Sequence, residues 1–176
     1  MLNKPVRMTT KWILTIVLSG FLFTSFGQKN PNWDKWNWLM GEWVGEGSGQ
    51  PGQGGGTFSF KPDLDQKILI RKSHSKYPAS ANKPEIIHDD LMVVYLDNQE
   101  NSNKAIYFDN EGHTIKYSIT YSDKSIVFTS EKIPNVPTFR LSYSLLEDAI
   151  VNTKFEMSQD GEKFFTYIEG KSRKVK

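Results

Sequence analysis

The nine residues His113-Thr114-Ile115-Lys116-Tyr117-Ser118-Ile119-Thr120-Tyr121 alternate without a break. His113, Ile115, Tyr117, Ile119 and Tyr121 share one parity; Thr114, Lys116, Ser118 and Thr120 share the other. Successive side chains of a strand point to opposite faces, so this pattern predicts a strand with one buried and one wet face. The same period runs through 138–145, where Phe139, Leu141, Tyr143 and Leu145 oppose Arg140, Ser142 and Ser144. It runs again through 150–157, where Val151, Thr153, Phe155 and Met157 oppose Asn152, Lys154 and Glu156.

Outward from these, the period-two rule predicts ten strands, over 43–49, 57–61, 67–74, 87–96, 105–109, 113–120, 125–130, 138–145, 150–157 and 163–169. The connections carry hairpin chemistry. Asn110-Glu111-Gly112 places Gly where a left-handed residue is needed, and Gln159-Asp160-Gly161 contains an Asp-Gly turn. No helical period of useful length separates the strands, which argues against a parallel sheet with crossover helices. The expected fold is all-β: an up-and-down antiparallel β-barrel of about ten strands, with a two-sheet sandwich as the alternative. Residues 34–40 predict a short helical turn capped by Asn32 or Asp34. Residues 75–85, with Pro78 and Pro84, predict a long polar loop, either a rim or lid or a solvated connector.

The chain has 176 residues, 22 Lys and Arg against 20 Asp and Glu, and no Cys. That length suits one domain, or one domain plus a removable segment. The missing Cys excludes a disulfide framework, thiolate metal ligands and a Cys nucleophile. Lys4, Arg7 and Lys11 precede an apolar run over 12–23, and Ser25-Phe26-Gly27 supplies a small-x-small end. This order predicts a secretory signal peptide over 1–27 and a barrel domain over 28–176, in the periplasm or outside the cell. The apolar run is too short to span a bilayer, so no stable membrane span is expected after cleavage. Cleavage before Gln28 leaves 149 residues with 19 basic against 20 acidic side chains. A nearly neutral domain without a basic cluster gives no footprint for nucleic acid, and Lys171-Ser172-Arg173-Lys174-Val175-Lys176 reads as a solvated basic end.

Trp33, Trp36, Trp38 and Trp43 crowd the start of the domain. The stretch Trp38-Leu39-Met40-Gly41-Glu42-Trp43-Val44-Gly45-Glu46-Gly47 resembles the opening of calycin-type barrels. Lipocalins carry Gly-x-Trp there, and nitrobindin-like barrels carry a longer Trp-Leu-x-Gly-x-Trp-x-Gly-x-Gly. With Tyr107-Phe108-Asp109-Asn110-Glu111-Gly112-His113, the chain is similar to a group of uncharacterised bacterial secreted domains with lipocalin-like barrels. The resemblance implies that Trp43 closes one barrel end beneath a basic residue, Arg173 or Lys171. A guanidinium sits well on an indole face. Nitrobindin-like barrels bind haem through a late-strand His; no His follows His113 here, so that ligand is not carried over. Met157 and Tyr167 are able to ligate iron, but nothing in their spacing selects them; no cofactor is predicted, with haem as the alternative.

The expected partner is a small apolar or amphipathic molecule. Phe58, Ile115, Tyr117, Phe128, Phe139, Tyr143 and Phe155 would line its cavity. His88, Tyr95, Tyr107, Asp109, His113, Tyr117 and Arg140 are the candidate ligand-binding residues, because a few polar groups in an apolar pocket orient a ligand. Parity sends Arg140 to water when Phe139 and Leu141 face inward, and a His on an apolar face reads first as a hydrogen-bonded core residue. Two other functions share the barrel. One is an enzyme using the His, Asp and Tyr group for acid-base chemistry. The other is a packed structural or interaction module, docking through Trp33 and Trp36 if these are exposed. No His spacing suits a metal, and no nucleophile elbow is present. The run 45–56 fits Gly-x-Gly-x-x-Gly in letters only. Pro51 and the glycines after it oppose the helix that phosphate binding needs, so the run reads as a flexible rim hairpin.

Overall fold

The computed structural model describes residues 33–47, 55–79, 84–99, 102–147 and 149–175. The predicted signal segment, the middle of the glycine run and the tip of the Pro78–Pro84 loop lie outside them. Ten strands form: β1 (Gly41–Gly45), β2 (Gly55–Asp63), β3 (Ile68–Tyr77), β4 (Ile86–Asp97), β5 (Ser102–Asp109), β6 (Thr114–Ser122), β7 (Ser125–Ser130), β8 (Thr138–Glu147), β9 (Ile150–Ser158) and β10 (Phe165–Lys174). Each pairs antiparallel with its sequence neighbours, and β1 also pairs with β10, closing an up-and-down barrel. The architecture is compatible with a calycin-like fold. Among the described residues no helix is long and apolar enough to cross a membrane.

Several boundaries differ from expectation. Strand β3 continues through Ser75, Lys76 and Tyr77, which pair with His88, Ile87 and Ile86 rather than joining the loop. Strand β10 runs on to Lys174. Closure is the reason: the segment expected to be a solvated basic end pairs with β9 on one side and β1 on the other. Gly55 and Gly56 open β2 instead of extending a rim hairpin. A Cβ on Gly56 would stand 2.4 Å from the His74 carbonyl oxygen, so close backbone approach explains this Gly without a phosphate.

One end of the barrel is packed solid. The 3-10 turn Asp34–Trp36 lies across it, with no side-chain cap at Trp33; Asp34 does not cap the turn, and Asn32 lies outside the described residues. Trp36 is fully buried against Trp33, Phe60, Tyr121 and Phe128, and its indole N–H donates to the Tyr121 hydroxyl at 3.2 Å. Trp33 is buried too, donating to the Gln66 carbonyl at 2.7 Å. Its acceptor lies in a turn where Leu64, Asp65 and Gln66 all take left-handed φ values of 47°, 52° and 63°. Both indoles are buried, so they do not form the exposed docking patch of the interaction reading. Trp43 is buried and donates to the Leu39 carbonyl at 2.8 Å. The cation over its ring is Lys174, 5.4 Å from the centroid. Of the two residues expected there, Arg173 has the opposite parity and points outward to Glu46 at 2.7 Å, and Lys171 shares that parity.

Two measurements check this account. Trp36→Ala removes the centre of the plug and should cost about 3–5 kcal/mol in urea unfolding, as buried Trp truncations do. At the other end, the β9–β10 turn is held by Asp160, whose carboxylate accepts from the backbone of Lys163 and Glu162 and from Ser158, each at 2.8 Å. These bonds, that of Lys163 first, lower its pKa to about 2. The unfolded value is near 3.9, so the stabilisation is complete above about pH 4 and is lost as pH falls towards the folded value. The Tm difference between wild type and Asp160→Ala should therefore be full at pH 6 and shrink over that acid window.

Candidate functional site

Parity brings charge into the other half of the barrel. In β3, Leu69, Arg71 and Ser73 face inward; in β4, Asp90, Met92 and Val94 do. Arg71 is 7% exposed, and its Nη1 donates to Asp90 Oδ1, whose side chain is 5% exposed. The guanidinium also lies 5.9 Å from the ring centroids of Phe58 and Tyr143. Burial works against the charge on Arg71, but Tyr143 and Asp90 outweigh it and hold the guanidinium protonated. Burial pushes the Asp90 carboxyl up, while Arg71, His88 and Ser73 pull it back. An ion pair at this depth is weak evidence for stability, since desolvation offsets the attraction.

Above this pair a polar wall rises along β4 and β5. His88 Nε2 lies 3.0 Å from the Tyr107 hydroxyl, and that hydroxyl donates to Asp109 Oδ2 at 3.2 Å. A phenol has one proton and a carboxylate only accepts, so His88 is the donor to Tyr107. The other His88 nitrogen faces Glu111 at 3.1 Å. Asp109 has a structural task as well: its Oδ1 accepts from the backbone of Glu111 and His113, at 3.0 and 2.9 Å, fixing the hairpin that Gly112 turns with φ 92°. Burial opposes ionisation of Asp109, but the His113 backbone and ring outweigh it and keep its pKa below the usual range. Burial, then Asp90 and Asp109, push the Tyr107 phenol far up, so it serves as a donor rather than a base. Burial pushes the Tyr143 phenol up to about 12.

The opposing strands supply an apolar wall. Phe139 and Phe155 stack at 5.7 Å with planes 8° apart, and Tyr167 meets Phe155 edge-on at 6.4 Å. Gly170 pairs with Thr153 and faces the same interior; nothing lies within 4 Å of where its Cβ would stand. These two walls, with Arg71, Tyr143 and Thr153 as a floor, bound the mouth half of the interior, the candidate cup. Three buried polar atoms at that floor have no hydrogen-bond partner among the described residues: Arg71 Nε, Tyr143 Oη and Thr153 Oγ1. Tyr143 Oη feels the guanidinium but completes no bond of good geometry with it.

The sequence candidates divide accordingly. His88, Tyr107 and Asp109 meet in the cup, with Tyr117 packed edge-on beneath Tyr107 at 6.5 Å. His113 is no core residue: β6 begins at Thr114, and the ring stands 63% exposed at the hairpin, 2.9 Å from Asp109. Tyr95 has the outward parity of β4 and lies opposite Lys104. Arg140 also faces out, bonded to Glu156 at 2.7 Å and 3.9 Å above the Phe164 ring. Among the expected lining residues, Ile115, Phe139 and Phe155 reach the cup, whereas Phe58 and Phe128 belong to the packed half. Arg71, Asp90 and Thr153 were not singled out by motif. Their signal was parity alone, for Arg71 and Asp90 share the phase of Leu69 and Met92.

His88, Asp109 and Glu111 offer ligand atoms within 4.8 Å of one another, a nitrogen and oxygen set able to hold a divalent cation. Hydrogen bonds from His88 on β4 to Glu111 and Tyr107, together with those of Asp109 within the hairpin, already account for their convergence. A shallow depression of about 800 Å3 also runs along the outer wall past Val44, Ser59, Lys72, Leu91 and Phe108, away from the unpartnered polar atoms. Comparison with models of known protein families and with curated proteins finds no match.

Arg71→Met would leave Asp90 buried without its cation and should cost about 3–5 kcal/mol in denaturant unfolding. Arg71→Met combined with Asp90→Leu should recover most of that loss, because no uncompensated charge remains.

Proposed function

We propose that this barrel is a receptor for one small amphipathic molecule, held in the cup between the aromatic and polar walls. The observation that carries the reading is the floor: three buried polar atoms without partners beside the open space at Gly170. Buried polar groups are nearly always hydrogen-bonded, and an unpaired one in a native interior calls for an explanation. A bound molecule with a polar end supplies it. The rim supports the apolar part, since Ile86, Ile133, Val136, Phe165 and Tyr167 are exposed around the mouth. The His88, Tyr107 and Asp109 chain serves here as a row of oriented hydrogen-bonding groups. The sequence over 1–27 supports action outside the cytoplasm, and a fold without Cys does not depend on the redox state there.

The test is binding of N-phenyl-1-naphthylamine, an uncharged apolar dye that brightens on leaving water. Saturation at one dye per chain is expected. Gly170→Phe fills the cup without backbone strain, so it should weaken dye binding by about tenfold or more while leaving Tm within a few degrees. An unchanged affinity in that variant would place the dye elsewhere and overturn the reading.

A further inference from the structure

The floor of the cup also constrains the charge of what enters it. Arg71 already has its counter-ion, Asp90, in direct contact. Asp109, with its side chain 4% exposed, and Glu111 at the rim add two more carboxylates on the same wall. Among the described residues, the cup therefore sets one permanent cation against three carboxylates. His88 and His113 sit against the latter two, and the aromatic wall offers no charge. A ligand carboxylate at the floor would bring a further negative charge beside Asp90, with no second permanent cation among the described residues of the cup to meet it. Burying an unpaired charge is far more costly than burying a hydrogen-bonded neutral oxygen.

The unpartnered atoms favour the neutral oxygen on positive grounds. Arg71 Nε–H only donates, whereas the hydroxyls of Tyr143 and Thr153 donate or accept. Tyr143 and Thr153 are register partners on β8 and β9, and Tyr143 packs beside the guanidinium. One ligand oxygen at this level would accept from Arg71, and a ligand hydroxyl would donate a hydrogen bond to Thr153 or Tyr143. We infer that the cup selects an uncharged alcohol or carbonyl compound, seating its oxygen on Arg71, Tyr143 and Thr153, and discriminates against carboxylates. This rests on the receptor reading above and adds to it the class of ligand.

The experiment is displacement of bound N-phenyl-1-naphthylamine by molecules of one chain length: dodecan-1-ol, methyl dodecanoate, dodecylammonium and dodecanoate. The alcohol and the ester should displace the dye at concentrations about tenfold or more below dodecanoate, the scale of an uncompensated charge in a partly wet site. Dodecanoate should also rank below dodecylammonium, which has the same chain and one charge of opposite sign. Asp90→Asn frees the guanidinium, so it should narrow or reverse the gap between alcohol and carboxylate, which a merely hydrophobic preference would not do. Dodecanoate competing as well as the alcohol or the ammonium in the wild type would overturn the inference while leaving the receptor reading intact. So would an unchanged ratio in a folded Asp90→Asn. Failure of the dye itself to bind would instead be a failure of the receptor reading.

Discussion

Closure of the sheet is the constraint on which the rest depends. A ten-stranded meander leaves two edges with unpaired backbone groups, and here one short strand of five residues removes both. Strand β1 does this with Trp43 pointing in, opposite Phe58 on one side and Lys174 on the other. Closure then fixes parity around the whole circle. Once Trp43 is inward, each hydrogen-bonded register passes the choice of face to the next strand. That is how Arg71 and Asp90, two strands and three strands away, come to lie inside.

The two halves of the interior divide the work. The half under the 3-10 turn is filled by interlocking rings: Trp36, Phe60, Phe128 and Tyr143 contact one another edge-on or tilted. Such geometry suits the quadrupoles of aromatic rings and leaves little space. The other half keeps its rings to one side and its polar groups to the other. Tyr143 belongs to both, with its ring in the packed layer and its hydroxyl at the floor of the cup.

Much of the fold was legible because period two is a strong signal when one face is buried. Residues 114–121 and 138–145 carried it, and both became strands with the expected inner faces. What period two missed were the places where pairing extends beyond the alternation. Ser172 and Lys174 are polar by type, yet closure draws them into β10. His113 illustrates the reverse. It has the parity of Ile115 and Tyr117, but parity states a direction and not a depth, and one residue beyond the strand end that direction leads into water. The candidate cup was half legible. Tyr107, Asp109 and His88 stood out because they cluster near a recognisable hairpin. Arg71 and Asp90 are 19 residues apart and belong to no motif. Only a register makes them neighbours.

The hard aromatic floor has one consequence for anything that enters. Depth is capped by Tyr143 and the rings beneath it, so an occupant longer than the cup cannot be accommodated by sinking further. Its remainder must emerge at the mouth, among Ile133, Val136 and Phe165. A filled barrel then differs from an empty one in outward appearance as well as content, and chain length sets how large that difference is. Under the proposed receptor reading, the size of the occupant would therefore be legible from outside, without any change in the shape of the barrel.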